Sequence, residues 1–368
     1  MNLRKNFFRF FPPPNYLLQP AVGLDISDRS IKFLKFGLRK GDIFLDKFGE
    51  KEIPAGIIED GKIKGKKELI SVLSKWRKES SLDRVIVSLP EDQAFVFKMK
   101  VPEAASGHIR ENIELHLEEY IPLLPTETTF DYEIISTPTQ GENNYLINVS
   151  AFPRKMVEDY YEVLSSAGFQ ILAFEIEAQS LTRTFVLSNT NENLMLVDIG
   201  GYRTNFALVS GNRVVFTSNI SNIGGRIMEN TIAKSLNISI DKARKIKNQK
   251  GLIRSEDNME VFYSIIPFVS SLKDEIRKIA DYWGKNNKEN GGQVDKVILC
   301  GGHANLIGLD EYLSSGLNIP IEVGDPWLNI NFSPDNFPNL EIDKALRYGT
   351  AIGLALRGGS FPNYLLRQ

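Results

Sequence analysis

Apolar residues along the chain alternate and then cluster in an order that predicts a strand-rich unit twice over. After a proline-rich break at Pro12 to Pro14, the period-2 stretches AVGLDIS, SIKFLKFG and GDIFLDKFGEKEI predict three consecutive β-strands. KKELISVLSKWRKES follows, with Leu69, Val72, Leu73 and Trp76 spaced as one apolar helix face. RVIVSLP then reads as a buried strand ended by proline, completing a βββαβ unit. LMLVDIGGYRTNFALVSGNRVVFTSNI starts the same β-turn-β-turn-β pattern again in the second half.

Between the two units, from about Asp92 to Phe169, the pattern differs. FVFKMKVP predicts a strand. ASGHIRENIELHLEEYIP predicts a helix with Ile109, Ile113, Leu117 and Ile121 at i+4 steps. FDYEIIST and NYLINVSAF predict two more strands around the polar loop PTQGENN. A helix carrying Val157, Tyr161 and Leu164 on one face closes the block at Gly168. Such a block reads as an insertion. ILAFEIEAQSLTRTFVLSN then resumes a strand and helix, and the polar break Ser188 to Asn193 separates the halves.

Composition narrows the class. The 368 residues suggest about two domains and, at 42% hydrophobic and 24% charged, a globular protein. A net charge of −2 gives no reason to expect nucleic acid as a partner. One cysteine, Cys300, excludes a disulfide framework and fits a reducing, cytoplasmic compartment, and three scattered histidines give no zinc-type spacing. The opening MNLRKNFFRFFPPP is no signal peptide. Its basic and aromatic residues suit either an anionic membrane surface or partner, or a frayed terminus. PNYLLQ (14–19) recurs as PNYLLRQ (362–368), by chance or as a tail able to dock in a peptide groove.

The candidate chemistry lies in two matching turns. Asp25 is followed by Ser27 and Ser30, and Asp198 by Gly200 and Thr204, each at the end of a unit's first strand. Small and hydroxyl residues in such a turn present donors to an anion, and an Asp beside them can hold Mg²⁺ through water against phosphate oxygens. Two such turns facing one cleft would clamp a polyphosphate. ILCGGHANLIGL reads as a strand, a Gly-Gly turn and a helix, either a close approach to a planar ligand or an ordinary corner. In DKALRYGTAIGLALRG, Gly349 and Gly353 permit a tight helix crossing.

GLDISDRSIK, VDIGGYRTN and ILCGGHANLIGL, in this order, resemble the phosphate-1, phosphate-2 and adenosine motifs of the actin/Hsp70/hexokinase ATPase superfamily. VSLPEDQAFVFKMKVPEA, EEYIPLLPTETTFDYEII, FEIEAQSL, SNIGGRIMENTIAKSLNIS and YGTAIGLALRG resemble its FtsA-like branch, and within that the PilM family of type IV pilus assembly proteins. The resemblance implies an α/β, actin-like ATPase fold of duplicated βββαβα cores, RNase H-like, with an FtsA/PilM-type inserted subdomain. It implies an N-terminal tail (1–20), subdomain 1A (21–91 and 171–190), inserted subdomain 1C (92–170), subdomain 2A (191–223 and 293–358), subdomain 2B (224–292) and a C-terminal tail (359–368).

By the family pattern, Asp25 and Asp198 face Mg²⁺, with Ser27, Ser30, Lys32, Gly200 and Thr204 around the phosphates of ATP. Gly224 and Gly225 turn toward the nucleotide, Lys247 lies on the ribose side, and Gly301 and Gly302 lie against base and ribose. Glu177 matches the residue that orients attacking water, or is a helix-start carboxylate favoured by the dipole. Departures are Asp28-Arg29 and Tyr202-Arg203 in the two turns, Arg244 in place of the usual Glu, and His303 in place of a small residue. These imply nucleotide binding with weak or no hydrolysis. The implied role is a cytoplasmic adaptor, peripheral to the inner membrane, that binds the cytoplasmic N-terminus of PilN through elements around Phe95 to Met99 and Ile109 to Tyr120. It would couple PilN to other platform and motor components, with self-association compatible. The alternatives are an FtsA-like filament former and a small-molecule kinase of the same superfamily.

Overall fold

The structure, a computed structural model, describes residues 21–39, 41–138, 143–286 and 292–359. The basic-aromatic N-terminal segment, both Asn-Tyr-Leu-Leu tails and part of the PTQGENN loop lie outside these residues.

The first unit runs β1 (Val22–Ile26), β2 (Ser30–Arg39), β3 (Asp42–Glu52), a small hairpin of β4 (Ile58–Glu59) and β5 (Lys62–Ile63), α1 (Lys66–Ser80) and β6 (Arg84–Leu89). The intervening block contributes β7 (Phe95–Pro102), α2 (Ile109–His116), β8 (Thr128–Ser136), β9 (Asn144–Pro153) and α3 (Arg154–Ser166). β10 (Gln170–Ile176) and α4 (Glu177–Phe185) finish the first half. The second half runs β11 (Asn193–Ile199), β12 (Arg203–Ser210), β13 (Arg213–Ser221), α5 (Gly225–Ser235), α6 (Ile240–Lys250), α7 (Met259–Asn286), β14 (Lys296–Cys300), α8 (Leu309–Ser314) and β15 (Ile321–Val323). α9 (Ile342–Ala345) and α10 (Gly349–Gly358) close the chain.

The repeat visible in the hydrophobic pattern is a repeat of topology. One sheet is ordered β3-β2-β1-β6-β10 and the other β13-β12-β11-β14-β15. In each, the first three strands in sequence pair antiparallel and the next two add parallel. β1 and β11, each central in its sheet, are buried nearly throughout, as strands covered on both faces must be. α10 crosses back onto the first half and packs against α4. A Cβ at Gly353 would overlap the Ser180 carbonyl oxygen, so only glycine permits the crossing. Thr184 Oγ1 donates to the Gly349 carbonyl and Arg183 to that of Gly353, each at 2.8 Å.

The intervening block forms its own sheet, β7-β9-β8, over a core that includes Met99, Val101, Phe130, Ile147 and Val149. Ile109, Ile113, Leu117 and Ile121 all point into that core, but the backbone is α-helical only to His116 and tightens to a 3₁₀ turn at Leu117–Glu119. Pro122 disfavours α geometry in the residue before it, and this limits the helix. α3 departs from its expected face. Met156, Tyr160, Val163 and Leu164 are buried in the first half's core, while Tyr161 is 58% exposed. The sequence offers two adjacent stripes, and the Tyr160 hydroxyl finds the Gly61 carbonyl at 3.1 Å. The block also reaches the second half, where Asn148 Nδ2 donates to the Val214 carbonyl at 2.9 Å. Among the described residues no helix is long and apolar enough to cross a membrane.

Candidate functional site

Both candidate turns open into one cleft of about 700 Å³ between the halves. In the first, β1 and β2 are held by Ser27 N donating to Ser30 O at 2.9 Å and by the Ser27 hydroxyl, which donates to the same carbonyl at 3.0 Å. The antiparallel register sets Asp25 directly opposite Lys32. Their seven-residue spacing therefore becomes an ion pair, Lys32 Nζ to Asp25 Oδ2 at 3.2 Å. Ser88, on the parallel neighbour β6, donates to Asp25 Oδ1 at 3.3 Å. Burial pulls the Lys32 pKa down, but Asp25 and Glu50 more than offset this and leave it above the usual lysine value.

The second turn repeats the register with other residues. Gly200 N donates to Arg203 O at 3.0 Å, and Asp198 lies opposite Asn205. Asn205 donates to Glu177 Oε2 at 3.2 Å. Asp198 therefore has no cation across the ladder, and burial followed by the Asp25 charge pushes its carboxyl up to about 6. Glu177 opens α4 and is raised well above the carboxylate range by burial and then by Asp25, Asp198 and Glu91. Glu91, just past β6, accepts the Ala178 amide at 3.1 Å and so caps α4. Burial pushes Glu91 to about 7.

A third wall comes from the segment after β14. Gly301 has φ +89° and lies so close to the second turn that a Cβ would overlap Asp198 Oδ1. Gly302 is exposed beside Arg347. The His303 ring packs on Gly225, and Lys247 Nζ lies 3.1 Å from its Nδ1. Burial and four nearby cations, Lys247 foremost, hold His303 neutral.

The cleft thus gathers Asp25, Ser27, Ser30, Lys32, Glu177, Asp198, Gly200, Gly301 and Gly302. Four expected residues stand behind its lining. Thr204 is fully buried and donates to the Ile223 carbonyl at 2.9 Å. Gly224 presses on the Gly201 carbonyl, and Gly225 N donates to Gly200 O at 3.0 Å, so both brace the second turn from behind. Lys247 is 2% exposed and pairs with buried Glu229 at 2.8 Å; burial lowers its pKa. Two cleft residues, Glu91 and Asn205, escape the sequence reading. The register alone signals Asn205, because it stands to Asp198 as Lys32 stands to Asp25.

The donor set fits a magnesium-bound polyphosphate. Asp25, Glu91, Glu177 and Asp198 line the cleft with Lys32 and the guanidinium groups of Arg29, Arg203, Arg226 and Arg347, and Asn205 Oδ1 is buried without a partner. Hard carboxylate oxygens suit Mg²⁺. Among the described residues no three His, Cys, Asp or Glu side chains converge to hold a metal by themselves, so the cation would be held through the ligand's phosphates and water.

The sequence profile described as type IV pilus assembly protein PilM matches residues 23–359. The chain belongs to the PilM family. Its fold is similar to that of a solved PilM-PilN type IV pilus biogenesis complex, at 20% identity and a TM-score of 0.77, covering 92% of this chain and 98% of that one. MreB5 of Spiroplasma citri bound to ADP is similar at 13% identity and TM-score 0.56, covering 92% and 95%. The ethanolamine utilization protein EutJ of Carboxydothermus hydrogenoformans is similar at 15% and 0.55, covering 94% and 90%. These likenesses establish an actin-like ATPase fold. The PilM-family block between the halves exposes Leu115 (80%), Leu124 (52%) and Tyr120 (42%), the last stacked on Phe97 at 4.6 Å.

Proposed function

We propose that this PilM-family chain is a nucleotide-binding adaptor of the type IV pilus assembly machinery. ATP with Mg²⁺ binds between the two Asp turns, and the cytoplasmic N-terminus of PilN docks on the inserted block. The observation that carries the nucleotide reading is the pair of register-equivalent Asp turns facing one cleft with a surplus of buried carboxylates. Magnesium, when bound, would neutralise phosphate charge and relieve that surplus. Asp25 and Asp198 would face it through water, Lys32 and the serines would meet the phosphates, and Gly301 and Gly302 would border the nucleoside. Glu177 is raised by burial and then by its acidic neighbours, and its Oε2 accepts the Asn205 amide. An Oε2 already engaged by the Asn205 amide is poorly placed to take a proton from an attacking water, which supports slow hydrolysis. The exposed Leu115, Tyr120 and Leu124 support a peptide partner on the block, with ATP biasing the domain arrangement that presents it.

The test is a thermal-melt titration with Mg-ATP and, separately, with a PilN N-terminal peptide. A ligand selective for the folded state raises the melting temperature with the logarithm of its concentration over Kd. Both ligands are expected to stabilise the wild type, and Asp198→Ala to lose the ATP effect alone. No stabilisation by Mg-ATP overturns the nucleotide reading.

A further inference from the structure

The side chains that depart from the superfamily pattern in the two turns meet each other over the cleft. Arg203, at the tip of the second turn, holds Asp28 at 2.5 Å, Asp60 at 3.4 Å and Asp92. These carboxylates come from three segments of the first half: the first turn, the β4–β5 hairpin and the stretch after β6. Asp28 is fixed in its turn by the Gly61 amide, which donates to Oδ1 at 3.0 Å. Beside this network Arg29 of the first turn lies over the Tyr202 ring of the second, 5.4 Å from its centroid. Both contacts run from one half to the other. The Arg203, Asp28 and Asp92 side chains are only 19%, 22% and 12% exposed. Across the same cleft the Arg226–Glu52 pair is 33% and 81% exposed. Ion pairs of the exposed kind contribute little, whereas a charge left without its partner in a shielded place is costly.

We propose that Arg203 is a latch that ties the two turns together and sets the rate at which a polyphosphate ligand enters and leaves the cleft. The identity of that ligand rests on the nucleotide reading above; the tie between the halves does not. A ligand has to part the turns on its way into the cleft and again on its way out. A guanidinium binds phosphate oxygens as readily as carboxylates, so an incoming phosphate competes with the three aspartates instead of meeting a sealed wall. The latch slows exchange in both directions, and salt speeds it by screening the tie.

The kinetic test is stopped-flow exchange of a fluorescent Mg-ATP analogue. In Arg203→Ala and in Asp28→Asn/Asp92→Asn, association and dissociation are both expected to accelerate roughly tenfold, with Kd held within about threefold. Arg203→Lys, which keeps the charge but not the fork, is expected to fall between. Faster dissociation with unchanged association would make Arg203 a simple ligand contact and overturn the latch, as would unchanged rates. A second arm needs no nucleotide. Lys75 and Lys278, one on each half, are 74% and 76% exposed, and the sole native cysteine, Cys300, is buried. With spin labels on Lys75→Cys and Lys278→Cys, Arg203→Ala is expected to lengthen or broaden the distance distribution. If wild type binds no nucleotide, this arm decides alone, and an unchanged distribution overturns the latch.

Discussion

The two halves present the same hairpin with opposite electrostatics. In the first, Asp25 has a cross-strand lysine and a serine donor from the adjoining parallel strand. In the second, the corresponding positions are Asn205 across the ladder and Cys300 on the parallel strand, a buried thiol that burial pushes well above its usual value. The first hairpin is complete within the chain. The second leaves Asp198 near Asp25, Glu91 and Glu177 with no cation across its own ladder. The geometry occurs twice, and differences at two register positions, Lys32 against Asn205 and Ser88 against Cys300, set the hairpins apart.

Removing the carboxylate separates the halves most strongly. Asp25→Ala takes from Lys32 its ion-pair partner, leaving only the charge of Glu50 nearby, and is expected to cost about 1–3 kcal/mol of stability. Asp198→Asn removes an uncompensated carboxylate and is expected to leave the melting temperature at pH 8 unchanged or higher. Chemical denaturation of the two variants side by side checks this, and equal losses would erase the distinction.

Glu91 sharpens it through pH. Its folded pKa, about 7, lies above the ordinary 4.5, and that of Asp198, about 6, above 3.8. Both acids bind their protons more tightly in the fold, so the stability they contribute is full below about pH 4 and is lost as pH rises through 6 to 7. Ionising Glu91 in the fold costs on the order of 3 kcal/mol. Glu91→Gln is therefore expected to raise the melting temperature at pH 8 and leave it nearly unchanged at pH 5. A uniform shift at both values would assign the effect to packing.

The smallest expected effect comes from making the second hairpin like the first. Asn205→Lys gives Asp198 a cross-strand cation and is expected to lower its pKa by about one unit, worth about 1 kcal/mol at pH 8. An NMR titration of the Asp198 carboxyl reads this directly.

The repeated pattern of three strands and an Asp turn was legible because period-2 alternation and turn residues are local signals. The cleft's outer members follow from it. Glu91 was not legible, since nothing in SLPED distinguishes a buried helix cap from a solvated loop until α4 is brought against it. Gly224, Gly225, Thr204 and Lys247 fall near the nucleotide in sequence order, yet the two glycines brace the second turn from behind and the Thr204 and Lys247 side chains are buried against the Ile223 carbonyl and Glu229, a distinction that appears only once α5 and α6 are packed. The α3 face was ambiguous because Tyr160 and Tyr161 both continue an i, i+4 stripe. The first half's core, with the Gly61 carbonyl as hydroxyl partner, selects Tyr160.

The most direct measurement is calorimetric titration of ATP with excess Mg²⁺ and again in EDTA. With the second hairpin lacking a counter-ion and the floor rich in carboxylates, binding is expected with Mg²⁺ and at least tenfold weaker without it, a difference of about 1.4 kcal/mol or more. Equal affinity in EDTA would mean that the acidic floor is not where the phosphates lie, and would contradict the distinction between the two turns.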